Sequence, residues 1–220
     1  MSGIVKPHKR SVYRDNIVTV EPHKVLEFCY ASYYNAPLED PVMRLKYASI
    51  VSVLYLAALR NNEALVLTKD QFSFDRTPAG SPVLVVNNIA VEKVQGRFRN
   101  CPIPLEDPIA KPLLKYLPTV KEFLFDFTDR TVRNVVYRAT GGEGWPHWLR
   151  SQRVSFLSSY LSDAEIDAFA GWGSLKPEKP REFYTHRAWS NYADKVVLAS
   201  KQYWDAKEMD PFIAAWYRSL

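Results

Sequence analysis

At 220 residues the chain is long enough for one substantial domain, or one domain with a short arm. A hydrophobic content of 47% against 24% charged residues excludes a chain disordered throughout and confines expected disorder to the ends. The formal charge of +5 permits an anionic partner such as nucleic acid without demanding one.

Residues 1–17 are basic and aperiodic, with Lys6, His8, Lys9, Arg10 and Arg14 set around Pro7. They read as an arm or linker, either solvated or in contact with DNA. The stretch has no apolar core of the kind a signal peptide carries. Residues 18–220 form the expected folded domain. "EPHKVLEFCYASYY" has helical spacing at Val25, Leu26, Cys29 and Tyr30, and Pro37 and Pro41 break the pattern. A long helix is expected from Val42 to Leu59. Its apolar run "YASIVSVLYLAAL" is 13 residues, short of the ~20 that span a bilayer, so it reads as a buried core helix and no membrane role is expected. "NNEALVL" follows as a short helix.

The character changes between residues 71 and 105. "QFSFD", "PVLVV", "IAVEK" and "RFRNCPIPL" are short β-rich pieces between turn residues, and they predict a three-stranded antiparallel sheet with "VQGR" as the turn before the last strand. Helical patterning returns at "EDPIAKPLLKYL". "EFLFDF" reads as a brief extended piece, and "TDRTVRNVVYRAT" as a helix capped by Thr128 or Asp129. "GGEGWP" interrupts the chain before "HWLRSQRVSFLSSYL". "SDAEIDAFAGW" then opens a helix with Ser162 as N-cap and Glu165 at capping-box spacing. The tail from Arg187 reads as one or two amphipathic helices. The fold class is therefore α+β, mainly α, with a small three-stranded antiparallel sheet. Cys29 and Cys101 have no metal or redox spacing and read as small buried hydrophobes in a reducing cytoplasm.

Four local signals carry chemistry. Arg60 in "AALRNNEALVL" ends an apolar helix, where its planar fork suits two oxygens of one phosphate and Glu63 can orient it; an exposed helix-end arginine is the plainer alternative. Lys93 in "VEKVQGRFRNCPIPL" sits on a hairpin, either reaching a site as a proton donor or simply solvated, with Arg97 and Arg99 as rivals. His147 and Arg150 in "PHWLRSQR" are three apart on a helix and share a face, which pairs a titratable imidazole with a guanidinium clamp. Trp172 in "FAGWGS" is a core residue or an indole N–H donor to a bound oxygen. A fifth stretch, "PREFYTHR", sets Tyr184 among Arg181, His186 and Arg187.

Taken in order, "AALRNNEALVL", "EKVQGRFRNCPIPL", "HWLR", "FAGW" and "FYTHR" resemble the successive boxes of the catalytic domain of the tyrosine recombinase (phage integrase) family, over about residues 18–190. Two departures stand out. Trp172 takes the place of a commoner histidine, and Tyr184 follows it by twelve residues, a longer spacing than is usual, through the loop "LKPEKP". The helical domain that family members carry before the catalytic one has no counterpart in the 17-residue arm, as expected either of a fragment or of a natural single-domain form.

The resemblance implies strand cleavage and rejoining without metal or cofactor. Tyr184 would be the nucleophile, leaving a 3′-phosphotyrosyl link and a free 5′-hydroxyl. Arg60 and Arg150 would clamp the non-bridging oxygens, with Trp172 donating a further hydrogen bond. Lys93 would protonate the leaving 5′-oxygen, and His147 would assist Tyr184 or bind the phosphate. Lys9, Arg10, Arg97, Arg99, Arg153, Arg181 and Arg187 are the expected contacts to double-stranded DNA. A cytoplasmic or nucleoid-associated protein (in the host cell if viral) is implied, a monomer or weak dimer alone and a homotetramer on paired sites. Two alternatives stay open: an inert DNA-binding regulator derived from an integrase, and a nicking–closing enzyme of the type IB topoisomerase kind.

Overall fold

The computed structural model describes residues 19–91, 96–172 and 189–220. Helix α1 (Pro22–Tyr34) packs along α2 (Pro41–Leu56), and both start with proline at the first helical turn, where the missing N–H costs nothing. Asp40 caps α2 by accepting from the Met43 N–H at 2.8 Å. From Ala48 to Leu59 the chain is buried on every side, so α2 is the axis of the core. A short helix α3 (Asn61–Leu65) follows.

The sheet has the order β1 (Phe72–Arg76), β2 (Pro82–Ala90), β3 (Phe98–Pro104), antiparallel throughout. The segment "IAVEK" begins as the end of β2 rather than as a strand of its own. Asn88 adopts φ +51°, and the β2–β3 register shifts between Val86 and Ile89, which lets β2 bend and continue. Helix α4 (Lys111–Tyr116) lies between two single 3₁₀ turns, and Phe123 of the "EFLFDF" stretch makes one bridge to Thr68.

Next come α5 (Asp129–Ala139), capped by Thr128, α6 (Pro146–Leu157) and α7 (Asp163–Ala170). At the start of α7 the Ser162 N–H donates to Glu165 at 2.8 Å. The tail folds as two helices, α8 (Ser190–Asp205) and α9 (Pro211–Ser219). Helix α8 is tied to β3 by Tyr192 Oη donating to the Asn100 carbonyl at 2.8 Å, and to α7 by Lys195 and Glu165 at 2.8 Å. Asp107, fully inside, accepts from Ser200 Oγ at 2.9 Å and Trp204 Nε1 at 3.2 Å, both on α8. Cys29 and Cys101 are buried free thiols. Among the described residues no helix is long and apolar enough to cross a membrane.

Candidate active site

The site begins where α2 ends. Ala58 takes the left-handed conformation at φ +45°. Its N–H donates to Tyr55 O at 3.0 Å, and the Leu59 N–H donates to Leu54 O at 3.1 Å, the paired bonds of a Schellman termination. The helix therefore stops three residues before the expected Leu59. The turn leaves the Ala57 and Ala58 carbonyls as inward-facing acceptors, and two arginines from distant parts of the chain use them.

Arg60 stands at the N-cap of α3. Its N–H donates to Glu63 Oε2 at 2.9 Å and its Nη1 to Oε1 at 2.6 Å, so one carboxylate holds both backbone and side chain. Glu63 is buried and also faces Arg99 Nη2 at 3.3 Å and Arg150 Nη1 at 3.5 Å. Burial works against its ionised form. The Arg99 charge, the Arg60 N–H and the Arg150 charge outweigh burial and hold its carboxyl below the usual carboxylate range.

Arg150 comes from the second turn of α6 and is entirely buried. Its Nη1 donates to Ala58 O at 2.5 Å and its Nη2 to Ala170 O at 2.6 Å. Its guanidinium lies 5.8 Å from the centroid of the Trp172 ring, which is 40% exposed and so forms the solvent side of this contact. Gly171 ends α7 at φ +68°, and a Cβ there would stand 2.8 Å from Arg99 Cδ. Only glycine meets both demands at this junction. Three guanidiniums thus surround one carboxylate, a formal excess of two positive charges at the meeting point of α3, β3, α6 and the end of α7.

The structure brings Arg60, Glu63, Arg150 and Trp172 together. His147 is itself exposed on the otherwise buried first turn of α6, one turn before Arg150. Lys93, Tyr184, Arg181, Arg187, Lys9 and Arg10 lie outside the described residues.

Two expected DNA contacts need correction, and a third is re-placed. Arg99 is an interior residue: Nη1 donates to Phe169 O at 2.5 Å and Nη2 to Ala57 O at 3.0 Å, which makes it a member of the buried cluster. The two-residue period of β3 carries the signal, because Arg99 shares the inward face with Cys101 and Ile103. Arg153 is also fully buried, with its guanidinium 5.3 Å from the Tyr55 ring and 5.6 Å from Phe156. Its charge partly offsets the burial that raises the Asp107 carboxyl. Neither side chain can lie against a duplex. Arg97 is half-buried and donates to Trp172 O at 2.8 Å, so it braces the tryptophan. Among the described residues no group of three or more His, Cys, Asp or Glu is placed to hold a metal ion.

Compared with known proteins, the chain matches no family model and no curated sequence.

Proposed function

We propose that the chain is the catalytic domain of a site-specific DNA recombinase or integrase that works through a covalent phosphotyrosyl intermediate. The observation that carries the reading is the arginine cluster. Arg60 and Arg150, 90 positions apart in sequence, converge on Glu63 with Trp172 beside them, and the excess positive charge suits a phosphodiester in a site with little solvent. Tyr184 Oη attacks phosphorus and passes its proton to His147. The bond to the 5′-oxygen breaks, and Lys93 protonates the leaving group. The phosphotyrosyl link conserves the bond energy, so a new 5′-hydroxyl reverses the step with no other energy source.

One observation favours a second reading, an inert DNA-binding module. Arg150 has no exposed surface, and both its terminal nitrogens donate to carbonyls of the chain itself. That is what a purely structural arginine does. The two readings separate on a nicked suicide duplex drawn from a pool of sequences. With the full chain, an SDS-stable protein–DNA adduct is expected and is lost in Tyr184→Phe. Duplex binding without adduct assigns the inert module. An adduct that persists in Tyr184→Phe moves the nucleophile elsewhere.

A further inference from the structure

With Arg99 and Arg153 turned inward, the cationic surface that meets DNA has to be found elsewhere. Helix α5 offers one. Val132, Val135, Val136 and Ala139 are buried against the core, while Arg130, Arg133, Tyr137 and Arg138 are exposed on the opposite side. At 100° per residue the four span about 140° of the helix surface, and Arg130 to Arg138 cover about 12 Å of axis. The only acid on the helix is Asp129, which pairs with Arg133 at 2.8 Å and accepts from Asn61, the residue after Arg60. The N-terminal end of α5 is therefore fastened beside the arginine cluster. At its other end Tyr137 lies over Gly142, where a Cβ would come within 3.2 Å of the phenol oxygen, and the turn runs on to exposed Trp145 and His147.

We infer that the exposed face of α5, carrying Arg130, Arg133 and Arg138 with Tyr137, is a docking surface for the sugar–phosphate backbone of a DNA duplex. The inference rests on the recombinase reading for the identity of the polyanion. The arginines diverge over the helix surface instead of converging on one point, which suits an extended row of charges and not a single small anion. Membrane docking is disfavoured because the apolar face of the helix is already spent on the core and has nothing to insert. A duplex presents a phosphate about every 3.4 Å of axis on each strand, so several fall within the length of the face.

The test is fluorescence anisotropy with the full chain and a labelled duplex, titrated across salt concentrations. The variant Arg130→Ala/Arg133→Ala/Arg138→Ala is compared with Lys115→Ala/Lys201→Ala/Arg218→Ala, which removes the same charge from exposed positions on other elements. Alanine favours helix at each α5 position, so folding is preserved, and circular dichroism checks it. The α5 variant is expected to bind about 10²-fold more weakly near 0.1 M salt and to lose about 2–3 from the slope of log K against log salt. The control is expected to lose far less. Equal losses in the two variants, no duplex binding by the parent, or better competition by RNA than by duplex would each overturn the assignment. The outcome is distinguishable from that of the adduct assay. Binding through α5 without adduct sinks the catalytic reading and keeps the surface, whereas adduct formation with α5 dispensable does the reverse.

Discussion

Glu63 holds three arginines with two oxygens, and its removal leaves all three cations without their shared counter-charge. Breaking a buried ion pair by deleting one partner costs about 3–5 kcal/mol. Glu63→Gln keeps the shape and loses the charge, so a loss of that size is expected in urea denaturation at neutral pH. The pH dependence follows from the direction of the shift. The folded-state carboxyl of Glu63 lies below its unfolded value, so its contribution is complete above the unfolded pKa and fades as pH falls through the folded one. The stability gap between the parent and Glu63→Gln should therefore narrow as pH drops below about 4.3, the ordinary glutamate value. Asp107 is shifted the opposite way by burial, titrates in both proteins and cancels in the difference. A gap that stays constant from pH 7 to pH 3 would mean that Glu63 acts by packing and not by charge.

The end of α2 shows how an element boundary builds the site and why it was hidden. An alanine in the left-handed region carries a strain of about 1–2 kcal/mol, and the Schellman position usually belongs to glycine. Ala58 stays there because the turn it makes presents carbonyls to Arg99 and Arg150. Ala58→Gly relieves the strain and gives back part of it through backbone entropy, so a net gain of roughly 0.5–1 kcal/mol in unfolding free energy is expected by calorimetry. A loss would show that the alanine methyl matters more for packing. Nothing in "YLAALRNN" marks this stop: no glycine and no proline falls near it, and apolar periodicity runs straight through to Leu59. Three helix starts were readable because they carry chemistry that local sequence records. Thr128 caps α5, Pro146 opens α6, and Ser162 and Glu165 form the box that starts α7, whereas Pro41, which reads as a break, opens α2 with Asp40 as its cap. The arginine cluster was half legible. Arg60 with Glu63 is a local pair at helical spacing, but the capture of Arg99 and Arg150 by carbonyls of Ala57, Ala58 and Ala170 depends on tertiary contact that no short window contains.

At the scale of the whole molecule, the apolar tail had two destinations open to it, its own core or a neighbouring chain. It takes the first. Trp216 of α9 sits edge-on to Tyr30 at 5.6 Å and packs against Tyr33 at 5.7 Å, both on α1, while Ile213 is buried next to it. Lys111 donates to the Tyr217 carbonyl and lies 3.9 Å from the centre of its ring, which fastens the same helix to α4. Helix α9 thus packs on α1 and spends its large apolar residues within one chain, apart from Phe212, which stays exposed. A contact within the chain and a contact between chains differ in how stability depends on concentration. Linkage makes the midpoint of an obligate oligomer rise with protein concentration, while that of a self-contained fold does not move. Without DNA, a monomer is expected by light scattering. Truncating a buried tryptophan typically costs about 3–5 kcal/mol, so Trp216→Ala should lower the unfolding midpoint by an amount that is the same at ten-fold different concentrations. A midpoint that climbs with concentration in the parent, and ceases to in Trp216→Ala, would place this helix on a neighbour in solution and overturn the intrachain assignment.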